Sequence, residues 1–331
     1  MSLSFHSLLR IGTGLLLAGM LVLGCKESGD ENNPPTQKTR SETIPSDVVK
    51  GTPATDQFPP VLHSNEWDDP VPMAGPVNTA GAEDAPVITP DGQTFCFFFT
   101  PDIRIPPERQ LIDGVSGIWW SKLVSGEWTE PERMVLCEDV ALDGPMCIES
   151  DTLWFASFRV GNYRTDGDIY LCENRGCHWE NWQNAGELLN GTYNIGEMYT
   201  SADGLTLIFD RTGTDGFGGV DLWQTEFTNG SWSVPENLGA AVNTALDETR
   251  PFLSSEGTEL WFTSTSRLGY TGPALFRSVK TDSVWGAPQE IISNFAGDPA
   301  LDAAGNIYFT HHFFINSGAI IEADVYMSRK R

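Results

Sequence analysis

The sequence predicts an all-β fold, a five-bladed β-propeller whose blades are four-stranded antiparallel sheets. Three observations predict this fold. A tryptophan motif recurs five times, and a pair of short apolar runs joined by a turn recurs beside it. In addition, one tryptophan motif stands before the first unit, while the last unit lacks its own. A period of about fifty residues is typical of propellers and solenoids and argues against a β-sandwich.

The tryptophan motif has the form W-x-x-P, and its copies lie 51 to 61 residues apart. One copy is degenerate, because Trp182 stands where the others have proline. Aromatic side chains are enriched in strands, so we expect each motif to form one strand of a blade. The copies begin at Trp67, Trp128, Trp179, Trp232 and Trp285.

Three further strands are predicted in each unit. Two apolar runs joined by a glycine-containing turn form a hairpin pattern in residues 85–99, 198–209, 251–263 and 299–310. A third run follows, and together with the tryptophan motif it brings the unit to four strands, the number in a propeller blade. This run begins at Asp168, Asp221 and Asp324 in three units, and at Gly117 and Ala274 in the other two.

The ends of the repeat predict how the ring closes. The last unit stops after its third strand at Met327, while the first tryptophan motif stands alone before unit one. The strand near Trp67 is therefore expected to complete the last blade. Closure of this kind leaves no long exposed sheet edge.

The first 62 residues differ from the rest in composition. In residues 1–24, Arg10 precedes the apolar run 11–23, which predicts an export signal peptide. Residues 22–25, Val-Leu-Gly-Cys, resemble a lipobox, so Cys25 would carry a lipid; an uncleaved signal anchor is the alternative. Residues 25–62 are rich in Pro, Ser, Thr and charged side chains and are predicted to be a disordered tether, with the propeller in 63–331.

The formal net charge of −25 excludes nucleic acid as a favoured partner, because such a surface repels phosphate. The cysteine spacings predict two disulfides in an oxidising compartment, while Cys96 is expected to be a buried free thiol. We expect no cofactor and no metal, since adjacent His311 and His312 would point to opposite faces of a strand. The predicted disulfides are Cys137–Cys147 and Cys172–Cys177.

The residues from Ser201 to Asn243 carry a recognisable pattern: S-x-D-G-x-x-L-x-F, then D-L-W, then G-x-W-x-x-P-x-N-L-G-x-x-V-N. This pattern resembles the WD40-like β-propeller repeat family of bacterial lipoproteins, which is related to TolB-type propellers. Unit two departs from it, because residues 149–151 replace the Asp-Gly turn. The resemblance implies a cell-envelope setting, and Lys26 after the lipidated cysteine favours the outer membrane by resemblance to lipoprotein sorting rules.

The longer loops, between strands two and three and between blades, are expected on one face of the ring. Exposed aromatic and amide side chains there predict a site for a protein partner or a glycan. Arg159, Arg211 and Arg267 recur at one register, which indicates a structural role within the blade. The candidate ligand-binding residues are Tyr163, Arg164, Tyr193, Phe217, Tyr270 and His312.

A glycoside hydrolase is the alternative function. Such enzymes need two carboxyl groups facing each other across the site, and the innermost strands offer Glu197 as acid, Asp84 as base and Asp143 to tune their pKa values. The acids fall in two registers relative to the proline of the first strand, and the sequence contains no catalytic triad or phosphate loop. We therefore favour a non-catalytic binding protein, anchored through Cys25, over an enzyme.

Overall fold

The computed structural model describes residues 39–137, 140–175, 179–315 and 318–331. Five antiparallel sheets form a ring, which confirms the predicted five-bladed propeller. Within the described part of the chain, no helix is long and apolar enough to cross a membrane.

The elements before the first complete blade are short. Helix α1 (Arg40–Thr43) is followed by strands β1 (Val61–Leu62) and β2 (Val71–Pro72). Blade one then contains β3 (Ala82–Ile88), β4 (Thr94–Thr100), helix α2 (Pro107–Gln110), β5 (Gly117–Val124), β6 (Glu127–Trp128) and β7 (Glu132–Arg133). Blade two contains β8 (Leu142–Glu149), β9 (Thr152–Phe158), β10 (Asp168–Asn174) and β11 (Trp179–Asn184).

The remaining blades follow the same order. A π-helical turn (Leu188–Thr192) leads into blade three, with β12 (Met198–Thr200), β13 (Thr206–Thr212), β14 (Val220–Thr228), β15 (Ser231–Trp232) and β16 (Glu236–Asn237). Blade four contains β17 (Glu248–Leu253), β18 (Glu259–Thr265), β19 (Pro273–Thr281), β20 (Val284–Trp285) and β21 (Gln289–Ser293). Blade five contains β22 (Ala296–Leu301), β23 (Ile307–Phe314) and β24 (Ile320–Ser328).

The tryptophan motif forms a divided outer strand in blades one, three and four. The tryptophan ends one two-residue strand, the proline interrupts the pairing, and a second short strand after it pairs with the same third strand. Proline has no N–H to donate to the ladder, which explains the gap.

Ring closure occurs as predicted. Val71 pairs with Met327 in β24, and Trp67 forms a further bridge with Lys330. The Trp67 side chain is fully buried, packs edge-on against Trp261 of blade four with ring centroids 5.5 Å apart, and donates to the Gly305 carbonyl at 2.8 Å. This closure, here called the seam, is thus held by side-chain packing as well as by the pairing of β2 with β24.

Residues 39–62, here called the N-terminal strap, correct the predicted boundary of the disordered tether. The strap is folded onto blades one, five and four: Arg40 is buried, Lys50 pairs with Glu322 and Asp324, and β1 pairs with β21. The composition suggested disorder because few of these residues are apolar. Their fixed position comes from buried charge pairs, which average composition does not register.

The loops between blades hold the blades together. Asn243 donates to and accepts from the backbone of Leu222 in the preceding blade, both at 2.9 Å, and Asn78 and Asn190 make the same pair of bonds with Val325 and Ile169. These asparagines, which lie in the loops that lead into the blades, are structural clamps. Similarly, Glu83 and Glu248 are buried and bind the threonine four residues earlier, Thr79 and Thr244.

Candidate functional site

A funnel opens at the face that carries the longer loops. Its cavity has a volume of about 650 Å³ and is lined by blades one to four. The innermost strands of blades one, two, four and five each shift register next to a proline. The residue before that proline has positive φ at Ala85, Arg250 and Asp298. These bulges interrupt the ladder where the strands meet at the axis, and they re-aim the neighbouring side chains.

Asp84 and Asp298 form an acid pair beside the funnel. Burial alone would raise the pKa of Asp84, but the charges of His312 and Arg250 and a hydrogen bond from Thr310 lower it. Burial raises the pKa of Asp298 well above its usual range, opposed by Arg250 and reinforced by the charge of Asp84. Two adjacent buried carboxyl groups do not both ionise readily, and the opposite pKa shifts favour the ionised form at Asp84 and the neutral form at Asp298.

Arg250 links the acidic groups. Its Nε lies 2.6 Å from Asp298 Oδ1 and 3.4 Å from Glu197 Oε1. Its pKa is raised, chiefly by the charge of Asp298. Because a guanidinium is planar and always charged, it fixes the directions of both carboxyl groups.

Glu197 is the most accessible of these carboxylates, with a side chain 45% exposed. Its backbone N–H donates to Asp210 Oδ1 at 2.9 Å, and the backbone N–H of Arg250 donates to Asp210 Oδ2 at 3.0 Å. Asp210 therefore joins blades three and four directly beneath the funnel. Burial, with the charge of Glu197, raises the pKa of Asp210 to about 7.

His312 lies inside this cluster rather than on an outer loop. Burial lowers its pKa, while the charge of Asp84 opposes that shift. His311, its neighbour on β23, faces the other side and bonds Asp56 of the strap at 2.7 Å. The predicted divergence of the two imidazoles is confirmed. No group of three or more metal-binding side chains is assembled within the described residues.

Asp143 does not join the funnel, which corrects its predicted role in tuning the catalytic carboxyl groups. Its Oδ1 accepts from Ser157 at 2.5 Å and from Arg159 at 2.6 Å within blade two. Gly144 takes the position at the cavity wall. In blade one, by contrast, Asp84 lies at the same distance before the proline but has no arginine of its own blade to bind. Asp84 and Asp143 therefore share a register, yet their side chains point in different directions.

The three repeated arginines stack on aromatic rings of the third strand, as their structural interpretation predicts. The guanidinium carbon lies 4.5 Å from the Tyr170 ring centre for Arg159, 3.9 Å from Trp223 for Arg211, and 4.5 Å from Phe276 for Arg267. Such contacts stabilise the blade.

The predicted binding residues are distributed unequally. Arg164 lines the cavity and is held by Asp166 and by the Ile195 carbonyl. Tyr163 and Phe217 are exposed on nearby loops but do not line the cavity, and Tyr270 packs on the His63 ring at 4.9 Å. Tyr193 was wrongly predicted to face a ligand: it is buried and its hydroxyl donates to the Trp232 carbonyl.

The sequence did not reveal two members of the cluster as functional partners, Arg250 and Asp298. The available signal was their shared position, one residue before the proline of the innermost strand. Phe98 and Phe158, which supply apolar wall, were also missed because each belongs to an otherwise ordinary strand.

Of the two predicted disulfides, Cys137–Cys147 is not formed. Cys137 and Cys147 are free; Cys147 is fully buried within β8, and this burial raises the pKa of its thiol. Cys172 is also free and buried, while its proposed partner Cys177 and the proposed lipid site Cys25 lie outside the described residues. Cys96 is a buried free thiol, as predicted.

No protein-family profile matches the chain, and no curated protein matches it by sequence. Among solved structures, the chain is similar to a TolB-like protein from Agrobacterium tumefaciens, at 15% identity over 70% of both chains and a TM-score of 0.41. It is also similar to the α-L-arabinofuranosidase PaAbf62A from Podospora anserina, at 10% identity over 79% of this chain and 95% of that one, with a TM-score of 0.46. A xylan β-1,4-xylosidase from Bacillus halodurans shows 9% identity over 77% of this chain and 54% of that one, with a TM-score of 0.46.

Proposed function

We propose that the funnel binds a carbohydrate and that the protein is a cell-envelope binding protein. The observation that carries this proposal is the composition of one cavity of about 650 Å³, which is lined by Glu197, Arg164 and Arg250 and also by Phe98 and Phe158. Charged planar groups bind pairs of sugar hydroxyls, and aromatic rings pack on the apolar face of a sugar. The acidic groups favour a neutral sugar over a uronic acid.

The envelope setting rests on the sequence alone. The apolar run 11–23 followed by Cys25 supports export and lipid anchoring, and Lys26 supports the outer membrane. These assignments concern residues before the described part of the chain. Metabolic labelling with a fatty acid, compared with a Cys25→Ala variant, tests them: the label should be lost in the variant.

Glycoside hydrolysis is the second candidate, because Asp84 and Glu197 line the same cavity in different environments. The lowered pKa of Asp84 favours the ionised form that a base needs, and Glu197 is open to a substrate. The Asp298–Arg250 pair, rather than Asp143, would set the electrostatics of these two groups. A general acid and a base that line one cavity are the groups that glycosidic cleavage requires.

One experiment separates the two candidates. Neutral oligosaccharides are screened for binding and for released reducing sugar with the wild-type protein, Glu197→Gln and Glu236→Gln, the last being an exposed carboxylate on the outer strand of the same blade. Binding without release, weakened roughly tenfold or more only by Glu197→Gln, supports the binding protein. Release that Glu197→Gln alone abolishes supports the hydrolase. Absence of binding to every oligosaccharide overturns both and points to a protein partner.

A further inference from the structure

A second cavity lies at the opposite end of the blades from the funnel. It has a volume of about 280 Å³ and lies beside the hairpin turns of blades four and five. Its position follows from β17: Arg250 near the start of that strand lines the funnel, whereas Phe252 near its end and Ser254 just after it line this second cavity. We call it the turn-face cup. It shares no lining residue with the funnel.

The floor of the turn-face cup contains a buried carboxyl group, Glu149, at the end of β8. The residue is only 8% exposed. Its Oε1 accepts a hydrogen bond from the Tyr199 hydroxyl at 3.0 Å, and its second oxygen has no partner among the described residues. Burial raises the pKa of Glu149, so the site lacks the opposite charge that would stabilise the ionised carboxylate.

Aromatic rings complete the floor. Tyr199 and Phe252 are both buried, and their ring centroids lie 4.6 Å apart with the planes tilted by 57°. A cation held near Glu149 would contact these rings, whose faces carry partial negative charge. Ser255 and Glu256 are exposed residues of the rim.

The other two carboxylates that line the cup each have two partners in the protein. Asp302 accepts from the Asn306 amide and the Tyr308 hydroxyl, and Glu259 accepts from the Trp261 indole and lies 3.7 Å from the Arg277 guanidinium. The open hydrogen-bonding capacity is therefore concentrated at Glu149 on the floor and Glu256 on the rim.

We propose that the turn-face cup binds the cationic end of a lysine or arginine side chain. The alkyl part of such a side chain suits Phe252, the charged group suits the free oxygen of Glu149, and Glu256 attracts it at the rim. The net charge of −25 favours approach of a basic partner. This site is separate from the funnel, so its ligand and the carbohydrate would bind independently.

The test uses three blocked amino acids, N-acetyl-lysine methylamide, its arginine analogue and the uncharged norleucine analogue, titrated against the purified protein and followed by NMR. We expect at least one cationic compound to bind, the norleucine compound not to bind, and Glu149→Gln to weaken binding roughly tenfold or more. Equal binding of the cationic compound to wild type and Glu149→Gln would overturn the proposal, as would absence of binding by both cationic compounds.

A second variant guards against a folding defect in Glu149→Gln. Ser255→Trp changes an exposed rim residue and should block the cup while leaving the melting temperature unchanged. It should abolish binding of the cationic compound and leave oligosaccharide binding in the funnel unaltered. Retained binding of the cationic compound by Ser255→Trp would place that compound elsewhere and overturn the proposal.

Discussion

At the scale of single residues, the funnel depends on a few buried charges that are arranged unequally around the ring. Glu197, Arg250 and Asp298 occupy equivalent positions in successive blades, yet Glu197 is open to solvent, Arg250 bridges two carboxyl groups, and burial raises the pKa of Asp298. The sequence identified Glu197 and Asp84 because acids on innermost strands are easily recognised. It could not reveal that Asp143 turns into its own blade, since that direction depends on the hydroxyl of Ser157 and the guanidinium of Arg159.

Asp210 provides a test of these buried charges through pH. Its pKa in the folded protein is about 7, against an ordinary value of 3.8, so between these values the folded state holds a proton that the unfolded chain has lost. The free energy of unfolding therefore falls as pH rises through this interval. We expect Asp210→Asn, which cannot ionise, to reduce the drop in melting temperature between pH 5 and pH 8 by about 2 °C or more, measured by calorimetry.

In Asp210→Asn, the drop in melting temperature between pH 5 and pH 8 should be reduced rather than removed. Burial also raises the pKa of Glu83 to about 7 and that of Glu322 to about 8, and both act in the same direction. A wild-type protein whose melting temperature rises from pH 5 to pH 8 would contradict the assignment.

At the scale of elements, contacts between neighbouring segments use polar clamps at repeated places. The third-strand aspartates Asp168 and Asp221 accept backbone N–H groups of their preceding loops, whereas the corresponding Asp324 pairs with Lys50 of the strap. The repeat pattern predicted that these aspartates lie in the third strand of their blades. It could not predict the replacement in blade five, because the replacing lysine lies outside the repeat.

The inter-blade asparagine clamp predicts a measurable loss of stability. Asn243→Ala leaves the buried N–H of Leu222 without its partner, whereas the Leu222 carbonyl still accepts from the Leu238 N–H at 3.0 Å; an unsatisfied buried group costs about 1 to 3 kcal/mol. We expect the free energy of unfolding in urea to fall by about 1 to 3 kcal/mol. As a control, exposed Asn229, which has positive φ, should tolerate Asn229→Gly within about 0.5 kcal/mol.

The strap predicts a second effect at this scale. Arg40 is fully buried and bonds Glu83 at 3.0 Å, and its guanidinium lies 5.2 Å from the centre of the Phe97 ring. Arg40→Met leaves Glu83 buried without its cation, which should destabilise the protein by about 3 to 5 kcal/mol. Limited proteolysis should then cut the strap before the blades.

A double variant checks the cause of that loss. Combining Arg40→Met with Glu83→Gln removes the unpaired charge and should recover a large part of the lost stability. Arg109→Met, on the exposed helix α2, should change stability by less than about 0.5 kcal/mol. If the single and double variants are equally destabilised, packing of the arginine side chain rather than its charge holds the strap.

At the scale of the whole molecule, the number of blades and the place of closure follow from the sequence because the same pattern of residues occurs five times. Five tryptophans at regular spacing and an incomplete last unit predict one ring and one seam. The arrangement of the strap and of the funnel could not be predicted in this way, because each combines side chains from distant parts of the chain, as in the contact between Asp56 and His311. Contacts of this kind occur once and leave no periodic signal.

The seam predicts that Trp67 stabilises the ring as a whole. Trp67→Ala opens a cavity between blades four and five and should reduce the free energy of unfolding by about 3 to 5 kcal/mol. Hydrogen exchange should accelerate in β24 and β18 together, because both lie against the seam. Val234→Ala, at an exposed position, is the control and should leave exchange unchanged; acceleration confined to β2 would show that Trp67 acts only locally.

The order of the strap and the seam along the chain has a mechanical consequence. The strap is attached at Arg40, Lys50 and Asp56, all of which precede β2 in the sequence. A force applied from the N-terminal side would act on these attachments first. It would reach the closing strand β2 only after these contacts had broken. The strap would therefore protect the ring from mechanical load: a force applied at the N-terminal end would detach the strap before it separated the closing strand from the last blade.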